Sequence, residues 1–155
     1  MAFKSLAAPA ALLALAGSLA GLWTNLIRSD GLKLFGPTRS QSLIAEFKTI
    51  SLAEATSLWQ AGTVPFVDTR PRENYEQGHI PRALYGFPED EAASSALFGI
   101  LDPHQVFVIY CAGGECKDTL LLANKLKPLG YTEMRLFMGG WPEWTKAGLP
   151  IEKGK

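Results

Sequence analysis

The sequence predicts an α/β domain over residues 46–155, a mainly parallel sheet flanked by helices, preceded by one N-terminal hydrophobic helix. Three observations carry this reading. From Glu46 onward, short apolar runs alternate with segments of helical period. Val106-Phe107-Val108-Ile109-Tyr110 is continuous, apolar and β-branched, as expected of a strand buried on both faces in the middle of a parallel sheet. Between Lys4 and Arg28 no residue is charged.

Composition narrows the function classes. A chain of 155 residues holds one ordinary domain and a short extension. With 47% hydrophobic and 19% charged residues it can build a core, which excludes wholesale disorder. Basic and acidic side chains balance at 15 each, which argues against a nucleic-acid partner. Two cysteines are too few for a disulfide-stapled scaffold or a four-cysteine zinc site. The two histidines and two cysteines match no usual zinc spacing, so neither a metal nor another cofactor is expected. Charge is unevenly spread. Residues 1–45 carry Lys4, Arg28, Lys33 and Arg39 against Asp30, and the remainder carries 11 basic and 14 acidic side chains.

Residues 1–30 read as a single-pass transmembrane anchor or signal segment. The uncharged stretch Ser5 to Ile27 is rich in Ala and Leu. As a helix it would be about 34 Å long, enough for the roughly 30 Å hydrocarbon core of a bilayer. Trp23 suits an interfacial position, and Pro9 lies near the start, where a helix tolerates it. A cleaved signal peptide competes, since Ala14-Leu15-Ala16 and Ser18-Leu19-Ala20 have the small-x-small form. The run exceeds the usual signal h-region of about 7–15 residues, which favours retention at the membrane. A buried core helix fits less well, because the apolar residues surround the whole helix. Flanking charges leave the membrane side of the domain undecided. Residues 31–45, with Gly31, Gly36, Pro37 and the polar run Thr38 to Ser42, read as a linker.

Glu46 to Ile50 alternates like a half-buried strand. Ser51 and Glu54 form a capping box, Leu52, Ala55 and Leu58 continue at helical spacing, and Gly62 ends the helix. Val64 to Val67 is a strand ending at Asp68. Arg72 to Gln77 makes one or two helical turns before Gly78. Ala83 to Tyr85 is a short strand, and Glu89 to Ile100 is weakly helical. After the central strand come a loop, a helix from about Asp118 to Leu129, a strand Met134 to Phe137, a turn at Gly139-Gly140 and a short helix Trp141 to Lys146 that Gly148 ends.

Ligands of parallel α/β sheets bind beyond the carboxyl ends of the strands. Cys111 stands there, followed by Ala112-Gly113-Gly114-Glu115-Cys116-Lys117 and a helix. The glycines allow positive φ, so that successive amides turn inward as an anion cradle. The helix adds free N–H groups and the positive end of its dipole, and Lys117 a full charge. Each favours thiolate over thiol at Cys111, making it a candidate nucleophile. The other reading of Cys111 is a small buried residue at a strand end. A nucleotide site is set aside for want of a G-x-G-x-x-G or a P-loop Lys-Ser/Thr.

Residues 46–152 resemble a rhodanese domain at four places in order: Val67-Asp68-Thr69-Arg70 with Tyr75; Gly78-His79-Ile80-Pro81 with Ala83; Ile109-Tyr110-Cys111 with its glycine-bearing loop; and Gly139-Gly140-Trp141 through Trp144 to Gly148-Leu149-Pro150. The resemblance implies a five-stranded parallel sheet and a sulfurtransferase. In it, Cys111 would take the outer sulfur of a small donor such as thiosulfate, hold it as a persulfide, and pass it to a thiol or cyanide. The resemblance also maps the six-residue cradle onto Cys111 to Cys116. The chain departs from the pattern in several places. Cys116 stands where many members have Arg or another polar residue, and Lys117 follows one step later. Arg82 stands where Gly is common, and Asn74 where Glu is common. The span from Cys111 to Gly130 is longer than usual, which leaves room for an enlarged loop or first helical turn. A seven-residue loop would resemble the rhodanese-fold cell-cycle phosphatases, whose loop closes with Arg, a better bidentate anion clamp than Lys117.

Cys116 separates the hypotheses. Five residues from Cys111, it can attack a persulfide there as a resolving thiol, giving a dithiol-disulfide redox protein with a thioredoxin-like partner. It can also be an inert packed thiol, and a non-catalytic domain binding a sulfur species or a partner is the remaining class. A structural disulfide is not expected, because closing so small a loop adds little stability. Arg70 is read either as positive potential near the cradle or as an ion pair with Glu73 or Asp68 that fixes its loop. His79 is expected in a packing role, His104 on an exposed loop, and Trp141 and Trp144 against the sheet.

Overall fold

The computed structural model describes Ser18, Trp23 and residues 39–154. The expected anchor, apart from Ser18 and Trp23, and the linker up to residue 38 lie outside the described residues. Among the described residues no helix is long and apolar enough to cross a membrane.

Five parallel strands form one sheet in the order β1-β5-β4-β2-β3. They are β1 (Lys48–Thr49), β2 (Phe66–Asp68), β3 (Leu84–Tyr85), β4 (Phe107–Tyr110) and β5 (Met134–Phe137). The continuous apolar run therefore sits in the centre, as its composition requires, and all four residues of β4 are buried. Its alternate side chains feed two cores. Phe107 and Ile109 join Val67, Leu97, Leu122 and Leu126 on one face. Val108 and Tyr110 join Phe66, Ile80, Phe137 and Trp144 on the other. A period of two applied to a run without polar residues yields this two-sided burial.

Within residues 39–154 the α-helices are α1 (Arg39–Ile44), α2 (Leu52–Ala61), α3 (Arg72–Gln77), α4 (Glu91–Ile100), α5 (Lys117–Leu126) and α6 (Gly140–Lys146). At α2 the capping box is complete: Ser51 Oγ accepts from Glu54 N, and Glu54 Oε2 accepts from Ser51 N at 2.9 Å. The Ser51 N–H first, then the Ser51 hydroxyl, which donates to the same Oε2 at 2.9 Å, hold the Glu54 carboxyl below its usual range. Gly62 closes α2 at φ 73°. Helix α5 is shorter than expected, because Pro128 interrupts the ladder and Lys127–Leu129 tightens into a 3₁₀ turn. The expected tether at residues 31–45 is corrected at its end. Arg39–Ile44 is helical, and Leu43 and Ile44 pack against the core, so this segment belongs to the domain.

A buried polar knot locks the carboxyl ends of β2 and β4. Asp68 accepts from the Arg70 backbone N–H and from its guanidinium, the closest contact being 2.6 Å. It also accepts from the Tyr110 hydroxyl at 2.7 Å. Arg70 donates on to Gly78 O at 2.6 Å, and Ile80 N–H donates to the Tyr110 hydroxyl at 3.0 Å. Burial first, then the Asp68 charge, push the Tyr110 hydroxyl well above the usual tyrosine range, so it stays a donor. Tyr110→Phe leaves the Ile80 N–H without its partner and Asp68 short of one donor. The expected loss is about 1–3 kcal/mol, read as a lower urea midpoint at unchanged slope; an unmoved midpoint would show that the knot contributes nothing.

Candidate active site

Cys111 follows the last residue of β4. Its backbone is held by the segments that follow both neighbouring strands. On one side, Thr69 N–H and Thr69 Oγ1 both donate to Tyr110 O, at 3.0 and 2.9 Å, and Thr69 Oγ1 lies 3.1 Å from Thr119 Oγ1 in the first turn of α5. On the other side, Trp141 N–H donates to Cys111 O at 2.9 Å. Gly140 makes that approach possible: at φ 54°, a Cβ there would overlap the Cys111 carbonyl oxygen. Thr69, Thr119 and Gly140 form a support that the sequence reading missed. Thr69 and Gly140 lay inside its motifs, and the only signal for Thr119 was a hydroxyl in the first turn of the helix.

The loop turns as its glycines require. Gly113 and Gly114 have φ of 86° and 76°, and Cys116 is itself left-handed at φ 44° and ψ 48°. The Gly113 N–H points at Cys111 Sγ, 3.2 Å away. Helix α5 begins at Lys117, so the loop between Cys111 and the helix is not enlarged and closes at Cys116. Ala112, Gly114, Glu115 and Lys117 are exposed and Gly113 is half-buried, while both cysteines are buried beneath this arch.

The two sulfurs are bonded. Cys111 and Cys116 form a disulfide with their Cα atoms 5.7 Å apart, where a bridge was expected only as one state of a dithiol-disulfide pair and not as a structural staple. The physical reason is that the turn itself brings the two residues to ordinary disulfide separation. The expected thiolate thus belongs to the reduced form of the loop. Arg70 takes the second of its two readings, the ion pair with Asp68, and Lys117 stands at the exposed rim of the loop. The Arg70 guanidinium is committed to Asp68 and Gly78 O and lies over the Trp141 ring, 4.3 Å from its centroid. It reaches Cys111 indirectly, through the indole whose N–H neighbour on the backbone holds Cys111 O. Lys117 pairs with Glu115 at 3.4 Å with both side chains largely in water, so its charge is largely screened. Asp118 adds an acid to the first turn of α5, and burial first, then Glu89, raise its pKa.

His79 packs as expected: it is buried, stacks on Tyr75 at 3.8 Å and bonds to Tyr75 O through Nδ1. His104 is exposed and Trp144 is buried under the sheet.

The geometry can be set beside known proteins. The family model of the rhodanese-like domain matches residues 51–147. The uncharacterized protein YibN of Escherichia coli K12 is 29% identical over 121 residues, covering 76% of this chain and 81% of YibN. Human thiosulfate:glutathione sulfurtransferase is 34% identical over 110 residues, covering 62% of this chain and 91% of its own length. In the crystal structure of the BH2092 protein of Bacillus halodurans the same fold recurs, with a TM-score of 0.60 at 24% identity over 70% of this chain and 77% of that one. A five-stranded parallel sheet with Cys111 at the edge of its central strand, together with a family match over most of the domain, makes this chain a member of the rhodanese-like domain family.

Proposed function

We propose that the reduced protein is a sulfurtransferase that carries sulfane sulfur on Cys111. The observation that carries this reading is the Gly113 N–H aimed at Cys111 Sγ, at the mouth of a glycine turn leading into the ten-residue helix α5. An amide donor and a helix N-terminus stabilise a thiolate and, after reaction, the anionic outer sulfur of a persulfide. The kinship with a human sulfurtransferase supports the same chemistry.

With thiosulfate as donor, the Cys111 thiolate attacks the outer sulfur. The sulfur–sulfur bond of the donor breaks and its electron pair leaves with sulfite. A thiol or cyanide then attacks the outer sulfur of the persulfide and regenerates the Cys111 thiolate. The exposed Lys117–Glu115 pair offers little net charge, so anion binding falls chiefly to the backbone amides of the loop. We also propose that the Ser5–Ile27 stretch holds the protein at a membrane, a reading supported by its length and lack of charge.

Two outcomes are expected. Pre-reduced Cys111→Ser should lose sulfur transfer from thiosulfate to cyanide by about a thousandfold or more, measured as thiocyanate; transfer at the wild-type rate in that variant removes the proposal. The full chain expressed in bacteria should stay in the membrane pellet after alkaline carbonate extraction, and recovery in the supernatant removes the anchor.

A further inference from the structure

We infer that Cys116 is a second catalytic cysteine, which resolves the Cys111 persulfide and releases its outer sulfur as hydrosulfide. The inference rests on the persulfide reading above and assigns that sulfur a second fate.

Four observations meet here. The two sulfurs are within bonding reach, since the structure joins them at an ordinary Cα separation of 5.7 Å. The Cys116 side chain is not used as a helix cap, although Cys116 occupies the N-cap position of α5. Its left-handed backbone, uncommon for a residue with a side chain, turns it under the arch beside Cys111. The surroundings of the two sulfurs also differ in kind. Cys111 Sγ faces an N–H donor, Gly113 N at 3.2 Å, whereas Cys116 Sγ lies 3.4 Å from a carbonyl oxygen, that of Met138. A donor favours thiolate and a carbonyl favours the protonated thiol. The reduced loop is therefore asymmetric: Cys111 is the ionised nucleophile that meets the donor first, and Cys116 waits as a thiol bonded to Met138 O.

The step balances within the loop. The electron pair of Cys116 Sγ forms a bond to Cys111 Sγ. The bond between Cys111 Sγ and the outer sulfur breaks, and its electron pair stays on the outer sulfur. The Cys116 proton leaves with that sulfur as hydrosulfide. Relative to the dithiol loop, two cysteine thiols have given up two electrons and one sulfane sulfur has been reduced to sulfide. The product is the disulfide that the structure contains. Another round requires two electrons from outside, from a small dithiol or a protein dithiol of the thioredoxin type, by thiol–disulfide exchange. Transfer to a cyanide or thiol acceptor needs no such reductant, so the two fates of the persulfide are chemically distinct.

The test is a single turnover. The full chain is reduced, freed of reductant, and given one equivalent of thiosulfate or, in parallel, of inorganic polysulfide, without acceptor and without oxygen. Wild type should release about one hydrosulfide per chain, lose both alkylatable thiols, and show no retained sulfur on Cys111. Cys116→Ser and Cys116→Ala should instead hold a gain of about 32 Da on Cys111, with hydrosulfide release slowed about tenfold or more. Wild type that keeps the added 32 Da and an alkylatable Cys116 overturns the inference while leaving the sulfurtransferase reading intact. That readout needs no variant to fold. Failure of both donors to place sulfur on Cys111 in any of the three proteins overturns the persulfide reading, and this inference with it.

Discussion

The ion pair of Asp68 with Arg70, closed by the Tyr110 hydroxyl, is the constraint on which the rest of the site depends. Both charges are buried, at 0% and 3% exposure, which is unfavourable unless every lone pair and proton finds a partner. Asp68 accepts from Arg70 and Tyr110, Arg70 donates to Asp68 and Gly78 O, and among the described residues no buried side-chain nitrogen or oxygen is without a hydrogen-bond partner. The knot ties together the ends of β2 and β4 and the turn at Gly78 to Ile80. Stacking of the guanidinium on Trp141 extends it to the segment after β5. Buried ion pairs are weak sources of net stability, but removing one partner from such a pair is costly. The knot therefore fixes one arrangement of four loops rather than adding strength to the sheet, and Cys111 stands where those loops meet.

That arrangement bears on the sulfur anion proposed for the site. The Arg70 guanidinium is turned into the knot, and the lysine at the rim is paired with Glu115. What remains for an anion is the backbone, an amide at Gly113 and the first turn of α5. Backbone donors suit a group as small and polarisable as a sulfur anion. A phosphate ester has several charged oxygens and calls for a bidentate cation.

Much of the fold was legible because its signals are local or strongly periodic. The Ser51–Glu54 box, the closing Gly62 and the β-branched central run each need only a few neighbouring residues to act. What escaped depends on contacts distant in sequence. Leu43 and Ile44 look like stray apolar residues in a polar tether until the core they cover is known. Arg82 is one of two described non-glycine residues with a left-handed backbone, at φ 68°. Its guanidinium donates to Trp59 O at 2.9 Å and its N–H to Glu152 Oε2 at 2.8 Å, bonds across 23 and 70 residues that no local pattern announces. For the site, the place of Cys111 after the central strand and the turn of its loop were readable from the apolar run and the paired glycines. The commitment of Arg70 was one of two open readings, because sequence shows a charge but not which way it points.

The disulfide shows how a sound argument about stability can coexist with the opposite structure. Closing a loop of five-residue separation removes little entropy from the unfolded chain, so the bridge adds little to the folding free energy. That argues against a disulfide kept as a staple, and it says nothing against one that is made and broken. Because the turn already holds both sulfurs together, the bond can form without moving the strands. Because the backbone around Cys111 is held by Thr69 and Trp141 rather than by the bridge, it can open without releasing the loop. A bond that contributes little to stability is one the protein can cycle through while folded, and the smallness of the loop becomes a reason for a reactive pair rather than against a bridged one.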